Sequence, residues 1–218
     1  MAATPTTRLA SDRYDARLNE ILLSSAQIFA EKGFHNASMR DIARATRTSL
    51  AGLYYYFQTK EELLYLISCF AFDQVTELLA QHLSEYSDPR EKLRFFVFNH
   101  LHFFIRHWNE TKVLAHEADS LHGKYFDEIM DKKRRYVTRI ERILTELQQH
   151  IPESRRKDAR LSALCLLGMM NWIYTWYNPK KDANIHKLAD VMASLFLDGF
   201  DSTKASSPAS GPFQEQRL

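Results

Sequence analysis

A succession of helical patterns of apolar residues, each bounded by start and stop signals, most constrains how this chain can fold. In the first pattern, between about residues 17 and 32, one face of a 3.6-residue period carries Leu18, Ile21, Leu22, Ser25, Ala26 and Phe29. Glycine and proline, which build the frequent tight turns of strand-rich folds, number only six each in 218 residues. The sequence therefore predicts an all-α fold of about nine helices.

Capping signals place the boundaries of these helices. Gly33 follows the first pattern and ends that helix. Ser38 and Asp41 have the spacing of a capping box at the start of the second helix, and a similar pair begins the fourth at Thr59. We predict helices over about residues 17–32, 39–45, 50–56, 60–84, 88–108, 110–121, 125–150, 154–177 and 184–197.

The two ends of the chain differ in composition from its middle. Residues 1–13 and 201–218 are rich in small and polar residues and lack a helical period, so we predict two disordered tails. Three short helices follow the first tail and form an N-terminal head over residues 14–60. The remaining helices form a C-terminal body over residues 61–200.

The cysteines and the N-terminus indicate the compartment. Cys69 and Cys165 are too few for a disulfide framework, and the first residues lack the apolar segment of a secretion signal, so we expect a cytoplasmic protein. The uncharged run 161–179 reaches the length of a membrane span, but it contains Asn171 and lies in an otherwise polar chain. We interpret this run as a helix buried in an interface, and we expect no membrane partner.

Charge and helix length single out the head. Residues 1–60 hold 8 Lys or Arg and 5 Asp or Glu, a basic excess that suits a segment facing a polyanion and equally suits a solvated surface. The second and third helices are joined by the three-residue turn 46–48, which is the arrangement of a helix-turn-helix. Small residues begin the third helix, where close approach to a DNA groove requires them, and four aromatic residues follow at 54–57.

The stretch SMRDIARATRTSLAGLYYYFQTKEELL, residues 38–64, resembles the DNA-binding head of the TetR family of transcriptional regulators. The matching positions are Arg40, Asp41, Ile42, Ala43, Ser49, Leu53, Tyr54, Tyr56, Phe57, Lys60, Glu61 and Leu63. Three positions depart from the usual pattern: Arg47 replaces a turn glycine, Ala51 replaces a second glycine, and Leu50 replaces a frequent lysine. These departures affect which operator sequence is read.

The resemblance implies a palindromic double-stranded DNA operator and assigns the DNA contacts. Base edges or nearby sugar-phosphate are expected to meet Arg47, Thr48, Ser49, Leu50, Gly52 and Tyr55, and phosphates are expected to meet Ser38, Arg40, Tyr54 and Lys60. The spacing of Leu53 and Phe57 instead points inward, so we interpret these two as core residues that tie the third helix to the fourth.

The resemblance also implies a homodimer, in which the last two helices of each subunit form a four-helix bundle. The sequence agrees with this, because the eighth helix is apolar nearly all round and the ninth is amphipathic. The residues predicted for dimerisation are Leu161, Leu164, Gly168, Leu188, Val191, Met192 and Leu195.

The body is dense in aromatic residues, which suit either a core or a pocket for a large apolar effector. His100, His107, His116 and Asn171 could be the polar groups of such a pocket. The segments MDKKRRYVTRIERIL and LGMMNWIYTWYNP are also similar to the bodies of TetR-family regulators that respond to acyl-CoA thioesters. The predicted effector-binding residues are Phe103, Phe104, His107, Trp108, His116, Arg134, Arg135, Arg139, Met169, Asn171, Trp172 and Trp176.

We therefore predict a TetR-type repressor that a large apolar effector, an acyl-CoA thioester, releases from its operator. A free fatty acid, an aromatic compound or a drug is the alternative effector. The sequence lacks the paired Glu-x-x-His motifs of a di-iron bundle, zinc motifs, a phosphate loop and a nucleophile elbow, so we predict no enzyme, catalytic residue, metal site or resident cofactor. A metal sensor and a helical interaction module that does not bind DNA remain as further alternatives.

Overall fold

A computed structural model describes residues 5–201, with side chains from residue 14 to residue 200. In this part of the chain the secondary structure is helical throughout, as the sequence predicts. Nine α-helices are present there: α1 (Pro5–Lys32), α2 (Met39–Ala45), α3 (Leu50–Tyr54), α4 (Lys60–His82), α5 (Pro89–Arg106), α6 (Trp108–His116), α7 (Gly123–Leu147), α8 (Ala159–Asn171) and α9 (Ile185–Asp201). Short 3-10 segments occupy Leu83–Glu85, Ala118–Ser120, Glu153–Arg155 and Trp172–Thr175.

The first helix is longer than the sequence analysis predicts. It begins at Pro5 rather than near Arg17, so residues 5–13 of the predicted disordered tail are helical. Proline is tolerated in the first turn of a helix, and no further proline or glycine interrupts the chain before Gly33. The rest of that tail, residues 1–4, and residues 202–218 of the second tail lie outside the described residues.

The eighth helix is shorter than the predicted span 154–177. The carboxylate of Asp158 accepts a hydrogen bond from the backbone N–H of Leu161 at 2.9 Å, and this cap begins α8 at Ala159. After Asn171 the backbone tightens into a 3-10 segment, in which each N–H bonds three residues back rather than four. The uncharged run 161–179 is therefore α-helical to Asn171, 3-10 helical to Thr175 and non-helical after that.

One hydrophobic core runs from the head into the body. In the head, Ile21, Phe29, Ile42, Leu53 and Phe57 are at most 1% exposed, which confirms that the two residues predicted to tie α3 to α4 face inward. Helix α4 continues this core with a buried face at residues 63, 64 and 67 and packs against α1, α5, α6 and α7. Helices α5 and α9 pack together, as do α7 and α8.

By length and composition, one helical stretch among the described residues, 60–85, is long and apolar enough to cross a membrane. This stretch is α4 with the 3-10 segment that follows it, not the run 161–179 that the sequence analysis considered. Within its most apolar window 44% is buried inside the protein, as is typical of the central helix of a helical domain.

Candidate DNA interface and effector cavity

Short-range caps fix α2 and α3 in the head. The backbone N–H of Asp41 donates to the Ser38 hydroxyl at 3.2 Å, and the Ser38 N–H donates back to the Asp41 carboxylate at 3.0 Å. Lys32 also donates to this carboxylate, at 2.8 Å, and these hydrogen bonds lower the pKa of Asp41 below its ordinary value. At α3 the hydroxyl of Ser49 accepts from the Gly52 N–H at 3.0 Å.

The turn between α2 and α3 contains a residue in the left-handed backbone region. Arg47 has φ of 51°, which confirms that the turn reaches its geometry without the usual glycine. The guanidinium of Arg17 bonds to the residues on either side of Arg47: it donates to the carbonyl oxygen of Thr46 at 2.8 Å and to the Thr48 hydroxyl at 2.7 Å. Helix α1 thereby anchors the turn that leads into α3.

Six of the residues predicted to contact DNA lie exposed around α3 and the start of α2: Arg40, Arg47, Ser49, Leu50, Tyr54 and Tyr55. Tyr55 is 73% exposed, and its ring meets the rings of Tyr14 and Tyr56 edge-on, so a small aromatic cluster supports it. Gly52 is half-buried, and a Cβ there would lie 2.8 Å from Cγ2 of Thr48. Glycine at this position therefore allows α3 to pack tightly against its own cap.

Three other predicted DNA contacts have side chains already engaged within the head. Lys60 donates to the carbonyl oxygens of Phe34 at 2.7 Å, of Ala37 at 3.0 Å and of His35 at 3.2 Å, and these bonds use all three of its N–H groups. Its ammonium also lies 4.5 Å from the centre of the Phe34 ring. In the structure Lys60 thus stabilises the loop between α1 and α2, and its ammonium is not free to bind a phosphate.

The hydroxyl groups of Ser38 and Thr48 are engaged in a similar way. Ser38 donates to the Asp41 carboxylate at 2.7 Å, and Thr48 donates to the carbonyl oxygen of Thr46 at 3.1 Å. Arg44, which the sequence prediction does not include, is exposed one helical turn after Arg40, and its guanidinium has no hydrogen-bond or ion-pair partner among the described residues. The i, i+4 spacing of these two arginines could have identified it.

A cavity of about 430 Å³ lies in the body between α4, α5, α6, α7 and α8. Its interior is lined by buried side chains such as Phe72, Phe103, Phe104 and Ile129. We call its exposed lining residues the rim: Ala115, His116, Asp119, Lys133, Gly168, Asn171 and Trp172. The cavity is large enough for an organic effector, and its wall is mainly apolar, as is typical of small-molecule sites.

Three polar side chains from three helices form a hydrogen-bonded chain in the cavity wall. His100 of α5 lies between Tyr136 of α7, with 3.0 Å from Nδ1 to the hydroxyl, and Asn171 of α8, with 3.1 Å from Nε2 to Oδ1. Burial lowers the pKa of His100 to about 4 and raises the pKa of Tyr136, so both groups are neutral near pH 7.

The structure brings five of the twelve predicted effector residues to the cavity: Phe103, Phe104, His116, Asn171 and Trp172. The other seven lie outside its lining: His107, Trp108, Arg134, Arg135, Arg139, Met169 and Trp176. The two exposed arginines Arg134 and Arg135 pair with Asp131 of their own helix, and Arg139 donates to the Thr76 carbonyl oxygen at 3.2 Å. His107 packs flat against Phe103 and so lies one layer behind the cavity wall.

Two important lining residues were absent from the prediction. Lys133 and Tyr136 line the cavity, whereas the predicted residues on this helix are their neighbours Arg134, Arg135 and Arg139. Lys133 is four residues after the buried Ile129 and four before the buried Val137, which places all three on one face of α7. This periodicity could have identified Lys133 as the cation of the run that faces the cavity.

Comparison with known proteins identifies the family. Residues 21–65 match the family described as bacterial regulatory proteins of the tetR family, and residues 86–200 match the tetracyclin repressor-like C-terminal domain. The chain belongs to the TetR family. It is accordingly a ligand-responsive transcriptional regulator and not an enzyme, as the sequence predicts.

Several TetR-family proteins resemble the chain over most of its length. The crystal structure of AibR in complex with isovaleryl coenzyme A and operator DNA is 30% identical, with a TM-score of 0.74 over 82% of this chain and 97% of that one. PfmR from Thermus thermophilus is 29% identical, with a TM-score of 0.73 over 81% and 96%. The fatty acid metabolism regulator protein of Bacillus subtilis (strain 168) is 22% identical over 83% of this chain and 93% of its own length.

Helices α8 and α9 of this TetR-family chain expose an apolar face. Of the residues predicted for dimerisation, Leu161, Leu164, Val191 and Leu195 are between 44% and 65% exposed. Three others have different positions: Gly168 lies on the cavity rim, Leu188 is half-buried, and Met192 is 8% exposed in the core of its own subunit. Met192 faces inward because α9 turns this side toward α5.

Three hydrogen bonds connect α6 and the segment after it, which carry part of the cavity lining, to the head and to the first turn of α4. Lys112 of α6 donates to the carbonyl oxygen of Ala30 near the end of α1 at 2.9 Å. The backbone N–H of His122 donates to Glu61 in the first turn of α4 at 2.8 Å, and the Ser120 hydroxyl lies 3.3 Å from Nε2 of His35. Thr111 and His116, which line the cavity, lie on the same helix α6 as Lys112.

Among the side chains described, no group of three or more His, Cys, Asp or Glu lies close enough together to hold a metal ion.

Proposed function

We propose that this protein is a dimeric cytoplasmic repressor that an acyl-CoA thioester releases from a palindromic operator. The observation that carries the proposal is the cavity, which has an apolar interior and a lysine on its rim, and which is lined in part by α6, the helix whose Lys112 is hydrogen-bonded to the end of α1 in the head. An acyl-CoA has the matching distribution of groups, with a hydrocarbon chain at one end and phosphates at the other.

The exposed side chains of the head divide into positioning contacts and base contacts. Arg40, Arg44 and Tyr54 are proposed to meet phosphates, since a cation or a phenol hydroxyl fixes the register of a protein on the duplex. Arg47, Ser49 and Leu50 lie at the start of α3 and are proposed to reach base edges in the major groove. In this proposal the apolar Leu50 contacts a thymine methyl group rather than a phosphate.

Lys133 is the proposed contact for the phosphates of the coenzyme. It lies on the rim, and Arg134 and Arg135 are exposed at the next positions of α7 and extend the positive surface. The relatives support this class of effector, because AibR has been crystallised with isovaleryl coenzyme A and another relative is named a fatty acid metabolism regulator.

The exposed apolar face of α8 and α9 is the proposed dimer interface. Burying Leu161, Leu164, Val191 and Leu195 against a second copy would remove from water a set of large side chains that a monomer rarely exposes together. A two-fold dimer also presents two heads to the two half-sites of a palindrome. Effector binding would then change the separation of the heads through α6 and α4, with a coupling of roughly 1–3 kcal/mol.

A fluorescence anisotropy titration tests the effector class. The probe is a palindromic duplex from upstream of the protein's own coding region, titrated with and without hexanoyl-CoA or free hexanoate. We expect hexanoyl-CoA to lower operator affinity by roughly 5- to 150-fold and hexanoate to have no effect. Lys133→Gln should weaken the response to hexanoyl-CoA, whereas Arg142→Gln, the same loss of charge on an exposed part of α7 outside the cavity, should not.

Three results would each contradict a part of the proposal. Release of DNA by hexanoate or by an aromatic acid, with no response to hexanoyl-CoA, would assign the cavity to a free acid. Tighter operator binding in the presence of hexanoyl-CoA would keep the effector but reverse the direction of regulation. A monomer in sedimentation at working concentration would contradict the dimer.

A further inference from the structure

In the amide of Asn171 the oxygen has a hydrogen-bond partner and the nitrogen has none among the described residues. Its Oδ1 lies 3.1 Å from Nε2 of His100, while its Nδ2 has no hydrogen-bond partner among the described residues. Asn171 is itself exposed and belongs to the cavity rim, but the histidine that it contacts is fully buried. The amide therefore lies at the boundary between the interior of the cavity and its rim.

The orientation of this amide in the structure sets the tautomer of His100. A carbonyl oxygen can only accept a hydrogen bond, so the hydrogen of neutral His100 resides on Nε2 and is donated to Asn171. Nδ1 then accepts from the hydroxyl of Tyr136, which completes the hydrogen bonding of the histidine. With Oδ1 directed inward to the histidine, the two N–H bonds of Nδ2 point away from it.

The surroundings of Asn171 define which kind of ligand atom these N–H groups can contact. On the interior side the lining is hydrocarbon and aromatic, with Phe104 stacked 4.7 Å from the His100 ring. On the rim side the nearest cation on the lining is Lys133, which is the proposed phosphate contact. In an acyl-CoA the thioester carbonyl lies between the hydrocarbon chain and the phosphates, and its oxygen is an acceptor without a hydrogen to donate.

We propose that Nδ2 of Asn171 donates a hydrogen bond to the carbonyl oxygen of the bound thioester. This inference rests on the proposed acyl-CoA effector and adds the residue that recognises its carbonyl group. Asn171 is thus the specificity-determining residue, while His100 and Tyr136 are positioning residues that hold the amide in a single orientation. A site that hydrogen-bonds a ligand atom discriminates against an analogue lacking it, because the site's polar group is then left without a partner.

A pair of coenzyme analogues isolates this hydrogen bond. S-hexyl-CoA has the thioether CH₂ in place of the carbonyl of hexanoyl-CoA and otherwise keeps the chain and the phosphates. Isothermal titration calorimetry of the full-length protein should give about tenfold tighter binding of hexanoyl-CoA, the size expected for one hydrogen bond. Asn171→Leu should bind the two compounds equally, with an affinity close to that of the unchanged protein for S-hexyl-CoA.

Asn171→Asp provides a second variant with the same shape. Its carboxylate can still accept from His100, but the second oxygen repels a carbonyl oxygen, so this variant should also lose the preference for the thioester. Tyr136→Phe frees His100 to reorient and should reduce the preference in part. Asn171→Leu leaves Nε2 of the buried His100 without its partner, so circular dichroism first checks that both Asn171 variants are folded.

The outcomes separate this inference from the proposed function. Equal binding of both compounds by the unchanged protein, or a tenfold preference that persists in Asn171→Leu, would overturn the role of Asn171 and leave the acyl-CoA effector in place. If neither compound bound, the proposed effector would be wrong and the carbonyl donor with it.

Discussion

The helix caps of the head and the hydrogen-bonded residues of the cavity wall satisfy their polar groups over very different distances along the sequence. In the head, the caps of α2, α3 and α4 each join residues three positions apart, as in the bond from the Glu62 N–H to the Thr59 hydroxyl. In the body, the hydrogen bonds of His100 reach residues 36 and 71 positions away. The short bonds form with their own helix, whereas the long ones form only when α5, α7 and α8 are packed together.

This difference implies that substitutions act differently in the two regions. Loss of a cap in the head removes a local contact and leaves its neighbours able to rebond with water. Loss of a member of the chain in the cavity wall leaves a buried partner without a hydrogen bond, and it disturbs three helices at once. The following predictions test whether the two regions behave in these distinct ways.

The largest effect should come from the titration of His100 in the body. Its folded pKa of about 4 lies below the ordinary value of 6.5, so the unfolded chain binds more protons between these values and stability falls as pH decreases through that window. Between pH 7.5 and pH 5.0 we expect this group to remove about 2 kcal/mol from the free energy of unfolding. Urea denaturation at a series of pH values measures the change.

His100→Gln is the control for this titration. Glutamine can bond to both neighbours but has no proton to gain in this range, so the pH dependence of the variant should be shallower than that of the unchanged protein by the same 2 kcal/mol or so. Equal pH dependence in the two proteins would mean that His100 becomes protonated without cost. The hydrogen-bonded side chains His100, Tyr136 and Asn171 in the cavity wall would then be solvated rather than buried.

Lys60, like Arg17, departs from the short range of the caps in the head, because its bonds reach residues 23 to 26 positions earlier. We expect Lys60→Ala to lower the free energy of unfolding by about 1.5 kcal/mol, the lower end for bonds to a charged donor, since the ammonium is only half-buried. The dependence of operator affinity on salt should stay the same, because in the structure this ammonium is committed to carbonyl oxygens.

Arg40→Ala is the matched variant with the opposite expectation. Arg40 is exposed and has no partner among the described residues, so its loss should leave stability within about 0.5 kcal/mol. Its removal should reduce the slope of log affinity against log salt by about 0.9, the value for one phosphate contact. A reduced slope for Lys60→Ala would show instead that the lysine leaves the loop and binds phosphate on DNA.

The same contrast explains how far the sequence could predict the molecule. Helix α2 was predicted at its observed bounds, and the cap residues of α2 and α4 were both identified, because each signal lies within a few residues of the structure it causes. The long bonds of Lys60 were missed because the loop that it holds lies on the far side of α2 and α3 in the sequence. A side chain that looks available in a motif can be committed elsewhere in the fold.

In the body, the helices were predicted better than the cavity. The residue types were right, since aromatic, histidine and basic side chains do line it, but the rotation of α7 decides which cation of the basic run faces inward. Lys133 and Tyr136 share a face with Ile129, and this periodicity was present in the sequence. The contact between His100 and Asn171 was beyond reach, because no local pattern relates two residues that are brought together by packing alone.

The smallest effect is expected for the backbone of the turn, at Arg47→Gly. Glycine adopts the left-handed conformation without the cost of a side chain, roughly 1–2 kcal/mol, but loses more freedom on folding, so stability should rise by less than about 1 kcal/mol. Operator affinity should fall because an exposed cation at the start of α3 is removed. Urea denaturation and anisotropy titration of the same preparation separate the two effects.

Arg44→Gly distinguishes the turn from the helix beside it. Arg44 lies in the last turn of α2, where glycine costs about 1 kcal/mol relative to good helix formers, so this variant should lose stability while Arg47→Gly does not. Both variants remove one exposed positive charge and should weaken operator binding to a similar extent. If Arg47→Gly and Arg44→Gly changed the free energy of unfolding by the same amount and in the same direction, the left-handed backbone at position 47 would have no measurable cost for arginine.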